Sequence, residues 1–201
     1  GHPHPPFRPD GQWSYPRRVA NPTLLHDLPG MVDDLTRTEA ELRRVVESDD
    51  PFLTEVARHL IDAGGKRVRP ALAIASSMVM DATADAATPD VIRGGVAVEL
   101  VHQGSLYHDD VMDEAETRRR VQSVNARWGN LEAILAGDYL LARASEIAAA
   151  LGNEVAGLLA STIASLCEGP VSSTHLTLPT LCSLVHSVVC VISNKTTHLH
   201  Y

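Results

Sequence analysis

The chain has 201 residues, 44% of them hydrophobic and 21% charged, with a net charge of -8. That leaves room for one domain with a proper core. The acidic balance argues against nucleic acid as the main partner, since a phosphate backbone calls for a broad basic surface.

The opening stretch GHPHPPFRPDGQWSYPRR has five prolines and little apolar material, so residues 1–20 are expected to be a disordered leader. It has no apolar core of the kind a signal peptide needs. No later run reaches the roughly 18–20 apolar residues of a transmembrane segment. The three scattered cysteines, Cys167, Cys182 and Cys190, fit a reducing cytoplasm better than a disulfide framework.

Residues 21–169 read as one helical domain. A first helix is predicted over Thr23 to Glu47, with Leu24, Leu28, Val32, Leu35 and Leu42 near a 3.6 period. Asp50 and Pro51 cap and start a second, which stops at Gly64 and Gly65. A third covers Val68 to Met80. Thr88 and Pro89 open a fourth that runs into the block HDDVMD, and two more cover Asn130 to Leu151 and Glu154 to Cys167. No period-2 strand stands out before residue 171. The fold class expected is an all-α bundle with short connections.

Three charged clusters punctuate these helices. Asp109 and Asp113 are one helical turn apart, with Asp110 beside them, a spacing at which two carboxylates can share a hard divalent cation. A bare DDxxD also fits a solvated acidic helix end. Tracing back from it, Val98, His102, Ser105, Asp109 and Asp113 lie on one face that grades from apolar to acidic, as on a helix lining a cavity. Upstream, GGKRVRP sets Lys66, Arg67 and Arg69 at a helix start, where free N–H groups and the dipole favour an anion. Downstream, Arg118, Arg119 and Arg120 offer guanidinium forks matched to phosphate oxygens, or simple Glu–Arg pairs within a helix. One diphosphate-bearing ligand would account for all three.

In this order, GGKRVRP, VELVHQGSLYHDDVMDEAETRR, VNARWGN and GDYLLARA resemble the trans-isoprenyl (polyprenyl) diphosphate synthases over residues 21–169. The resemblance implies an isoprenoid-synthase-type helical bundle, a cytoplasmic homodimer and a prenyltransferase. That enzyme ionises an allylic prenyl diphosphate with Mg2+ and joins it head-to-tail to isopentenyl diphosphate. It implies Asp109, Asp110 and Asp113 as catalytic, with Asp109 and Asp113 as direct Mg2+ ligands. Lys66, Arg67, Arg69, His102 and Arg119 fall to substrate binding, largely of isopentenyl diphosphate, and Arg118 to the allylic diphosphate. Gly104 and Ser105 occupy the positions where bulky residues would floor the product tunnel. Both are small here, so a product longer than farnesyl is expected.

The chain departs from the family pattern in two places. Arg120 stands where a glycine is usual. The family's second aspartate-rich segment is missing, and from about residue 170 the composition changes to a Ser-, Thr- and His-rich stretch with no Asp, Glu or Arg. Residues 170–201 are therefore expected to be a foreign or disordered tail on the N-terminal half of the fold. As written, the chain is expected to bind Mg2+–diphosphate weakly and turn over slowly. The alternative is a non-catalytic helical subunit of a heteromeric synthase.

Overall fold

The computed structural model of the chain describes residue 25 and residues 27–80, 86–172 and 187–192. The expected disordered leader lies outside these residues. The described part is helical, as the sequence reading has it, with helix ends set by local chemistry.

Helix α1 spans Met31–Val45 and buries Met31, Leu35, Thr38, Leu42 and Val45 on one side. Periodicity alone predicts one unbroken helix here; Leu25 is helical, but residues 27–30 interrupt it before α1. Pro29 precedes Gly30, and Gly30 sits at φ 72°, a left-handed conformation that breaks the helix there. Asp34 is also buried, where it accepts from Arg37 at 2.7 Å and from the Ala87 N–H at 2.8 Å. One acidic side chain thus ties the start of the fourth helix to the first.

Helix α2, Pro51–Asp62, begins as predicted: Asp50 Oδ1 accepts from the N–H groups of Phe52 (2.9 Å) and Leu53 (3.4 Å). It ends where Gly64 and Gly65 turn to φ 83° and 156°. Helix α3 is Val68–Met80. Helix α4, Pro89–Met112, is capped by the Thr88 hydroxyl and buries residues on every side, from Val91 to Asp110. An amphipathic helix needs one apolar face; α4 is buried nearly all round from Val91 to Val101, and it forms the axis of the bundle. Helices α5 (Val124–Trp128), α6 (Asn130–Leu151) and α7 (Asn153–Ser172) follow.

The most extensive packing is α4 against α6, followed by α3 against α4. The α4–α6 pair runs antiparallel and closes on two glycines. A β-carbon on Gly104 would lie 3.0 Å from the Gly137 carbonyl oxygen and 3.2 Å from Leu141 Cγ, and one on Gly137 would strike the His108 ring. On its outer side α6 presents Leu131, Ile134 and Leu135 to solvent. Tyr107, the largest fully buried side chain, points from α4 into α2 and donates its hydroxyl to the Val56 carbonyl at 2.8 Å.

Residues 187–192 include helical turns that bury Val188, Val189 and Ile192. Val188 and Ile192 approach Gly94 of α4 closely. The missing side chain at Gly94 leaves room for these two apolar side chains, with Leu151 beside them. The rest of 173–201 lies outside the described residues.

The chain also holds a strand pair that the sequence reading does not anticipate. Strands β1 (Thr117–Arg118) and β2 (Val121–Gln122) pair antiparallel, Arg118 opposite Val121. Arg119 and Arg120 form the two-residue turn at φ 52° and 68°. Positive φ at both central positions is the type I′ arrangement, which matches strand twist but strains residues with a β-carbon. The arginine triplet is therefore a hairpin tip and not a helical run of Glu–Arg pairs. Replacing Arg120 by Gly is expected to raise stability by roughly 0.5–1 kcal/mol, read as a higher urea midpoint at unchanged slope.

Candidate active site

The C-terminal end of α4 determines where the charged clusters meet. The helix stops by a Schellman motif: the N–H of Ala115 reaches the Asp110 carbonyl at 2.9 Å, and Glu114 takes the left-handed conformation at φ 50°. This turn sends the chain back as the hairpin, which returns Arg118 to the helix it has just left. Ser123 and Asn125 close the loop by donating to the Ala115 carbonyl.

The three aspartates then part company. Asp110 is fully buried and accepts from Arg118 Nε at 2.8 Å and Nη2 at 2.5 Å, both on Oδ1. Its Oδ2 is buried without a hydrogen-bond partner. These bonds hold the Arg118 guanidinium more firmly protonated than usual. Asp110 and Arg118 thus form an ion pair, which the sequence reading of Asp110 as catalytic and Arg118 as an allylic diphosphate contact does not contain.

Asp109 is half-buried and Asp113 exposed one turn on, the Asp113 N–H donating to the Asp109 carbonyl at 2.8 Å. Burial, and then the neighbouring Asp113 carboxylate, push the Asp109 carboxyl above its ordinary range. A divalent cation would relieve both causes. Among the described residues no three His, Cys, Asp or Glu side chains converge on one point. Asp109 and Asp113 are a pair of neighbouring carboxylates, the kind of donor set that a hard divalent cation takes, completing its shell with water and ligand phosphates.

Two turns back along α4, a cleft of about 560 Å³ opens beside His102. Lys66, Arg67, Arg69, Arg119 and Arg120 line it, and Glu99 is its one acidic wall residue. The sequence reading puts three basic residues in the first turn of α3; in fact Lys66 and Arg67 precede the helix, and only Arg69 lies within it. Arg119 reaches under the loop, donating to the carbonyls of Leu60 (2.8 Å) and Gly64 (2.5 Å). Burial lowers its pKa from the usual arginine range. His102 is pushed down to about 3, by burial first and then by Arg69, Arg119, Arg118 and Arg67. At neutral pH it is an uncharged imidazole facing a field of guanidinium groups.

Along the face the sequence singles out, burial falls steadily, from buried Val98 through half-buried His102, Ser105 and Asp109 to exposed Asp113. Arg67 differs from the expectation. Its guanidinium is spoken for on all sides: Nε by Glu39, Nη1 by Glu99 at 3.2 Å, and Nη2 by the Ile61 carbonyl at 2.8 Å and Glu39 at 3.3 Å. It lines the cleft with little capacity left for a ligand. Gly104 is small because two helices cross there. Ser105 is half-buried and donates to the His102 carbonyl at 2.9 Å.

The sequence reading misses Glu39, Glu99 and Gln103. Their signal is slight: Glu99 is a lone acid inside the apolar run GGVAVELV, and a charge there must be paired once folded.

Comparison with known proteins adds the lineage. The family model described as Polyprenyl synthetase matches residues 50–201. The chain is 40% identical over 162 residues to the nonaprenyl diphosphate synthase of Mycobacterium tuberculosis, covering 81% of this chain and 47% of that protein. It is 42% identical over 121 residues to heptaprenyl diphosphate synthase component 2 of Geobacillus stearothermophilus, covering 60% and 37%. The chain spans about half or less of the curated relatives it matches. Among solved structures, a decaprenyl diphosphate synthase from Rhodobacter capsulatus superposes at TM-score 0.76 with 30% identity, covering 86% of this chain and 57% of that one. A polyprenyl synthase from Caulobacter crescentus, complexed with calcium and isoprenyl diphosphate, gives 0.78 at 26% identity, covering 89% and 58%. With the helical fold and the ordered motifs these matches agree, and the chain belongs to the polyprenyl synthetase family.

Proposed function

We propose that this chain supplies the isopentenyl diphosphate site and the first cation-binding carboxylates of a cytoplasmic polyprenyl diphosphate synthase working as a homodimer. The observation that carries the reading is the single basic cleft shared by Lys66, Arg69, His102 and Arg119, two helical turns from Asp109. In that cleft lysine and arginine bind the diphosphate of isopentenyl diphosphate, and neutral His102 donates a hydrogen bond without adding charge. Asp109 and Asp113 would hold Mg2+, which when bound would supply positive charge beside the allylic diphosphate. Arg118, fixed by Asp110, offers its remaining Nη1 to the same group. With charges fixed before the ligand arrives, little reorganisation is needed when the leaving group takes the electron pair. Ser105, small and on the same face, leaves room for a growing chain beyond farnesyl.

A second reading rests on the heptaprenyl relative whose name includes component 2: the chain would work as one subunit of a heteromeric synthase. Purification with and without a second subunit, followed by elongation assays, separates the two.

The site itself is tested with inorganic diphosphate by titration calorimetry. Mg2+ is expected to tighten binding by about tenfold, through one or two carboxylate contacts. Asp109→Asn removes that increment and leaves Mg2+-independent binding in place. Equal binding by both proteins at all Mg2+ concentrations would defeat the proposal.

A further inference from the structure

The loop that carries Lys66 into the cleft is thin and under strain. Gly64, Gly65 and Arg67 all have positive φ, at 83°, 156° and 45°. Arg67 has a β-carbon, and such a conformation persists only where its surroundings hold it. The loop has a void on each side: the 560 Å³ cleft on one, and on the other a cavity of about 290 Å³ walled by Val32, Leu35 and Glu39. Packing alone does not hold it in place.

Two guanidinium groups flank it. A β-carbon on Gly65 would lie 3.2 Å from Arg119 Nη1 and 3.4 Å from Arg67 Nη1. Like charges that close repel, and Glu99 is the counter-charge: buried, paired with Arg67, and attractive to Arg119. Gln103 steadies it, donating to Glu99 Oε1 at 2.6 Å. Arg67 and Glu99 are almost fully buried, so the pair is little screened by solvent.

We propose that Arg67, clamped between Glu39, Glu99 and the Ile61 carbonyl, is a positioning residue that holds the 64–67 loop so that Lys66 faces the cleft. This rests on the reading of that cleft as a diphosphate site. Arg67 itself touches no ligand; it acts through the loop.

The test uses Arg67→Lys, which keeps the charge but cannot bridge three partners, and Glu99→Gln, which keeps the shape but removes the counter-charge. Hydrogen exchange of the loop amides and calorimetric binding of inorganic diphosphate are read in parallel, with melting temperatures recorded. In both variants the amides of residues 65–67 are expected to exchange about tenfold faster, matching the loss of one charge-assisted hydrogen bond, while α6 amides stay unchanged. Diphosphate binding is expected to weaken about tenfold in both. The Glu99→Gln arm is decisive. Through-space electrostatics alone would tighten binding of an anion when a carboxylate is removed from the cleft wall.

Unchanged loop exchange, or tighter diphosphate binding by Glu99→Gln, overturns the proposal. If the unaltered chain binds no diphosphate, the diphosphate reading of the cleft fails, and loop exchange alone still decides the clamp. Should Arg67→Lys not fold, Glu39→Gln removes the clamp's more exposed partner and is held to the same outcomes.

Discussion

Arg118→Ala is expected to cost about 3 kcal/mol of folding stability, measured as a fall in the urea midpoint. The cause is the partner left behind. Asp110 is fully buried, its Oδ2 already lacks a partner, and Oδ1 depends on Arg118 for both of its side-chain donors. Removing the guanidinium strands a carboxylate in the interior. Arg118 is partly exposed, so water can enter behind it, and the cost sits at the low end for broken buried pairs. Changing both residues together, Asp110→Asn with Arg118→Leu, is expected to recover most of the loss. An exposed ion pair would give under about 1 kcal/mol in the same experiment, and that result would show that the hairpin does not need its anchor.

Gly104→Leu is expected to destabilise the chain by about 3 kcal/mol through overpacking. The new β-carbon meets the Gly137 carbonyl and Leu141, and both belong to the helix most extensively packed on α4. Backbone cannot step aside as a side-chain tip can. Ser105→Leu, one residue on and half-buried, is expected to be tolerated far better. Had Gly104 been small only to leave room for product, the two substitutions would cost similar amounts. Thermal melts of both variants distinguish the cases.

Much of this fold can be read from local signals. Asp50 with Pro51, Thr88 with Pro89, and the Gly64–Gly65 stop each rest on chemistry confined to a few neighbouring residues, and those ends fall where predicted. The break before α1 follows from Pro29 and Gly30, which leucine periodicity outweighs in a reading of Thr23 to Glu47. The hairpin is harder to see. Thr117 to Gln122 lacks the Asn-Gly or Gly-rich turn that marks such loops, and its strand pair owes its existence to Arg118 reaching back to Asp110, a long-range contact.

The charged residues divide in the same way. Lys66, Arg69, His102 and Arg119 line one cleft, and Asp109 lies two turns along the same helix as His102, with Asp113 at its C-cap. Asp110, Arg118 and Arg67 are held in ion pairs as well. Nothing in a linear motif distinguishes a carboxylate waiting for a cation from one already paired, because that depends on which side chain returns from elsewhere in the fold. Glu39 and Glu99 are hard to see for the same reason: the partner they share is itself part of the motif.

The continuity of α4 from Pro89 to Met112 has a further consequence. From His102 to Asp109 is two turns of one helix, about 10 Å of rise, and the whole segment is gripped by neighbouring helices. It serves as a ruler. Two diphosphates seated at its two marks would have their separation fixed by backbone geometry before either arrives, so the entropy of bringing them into register is spent when the chain folds and not at each encounter.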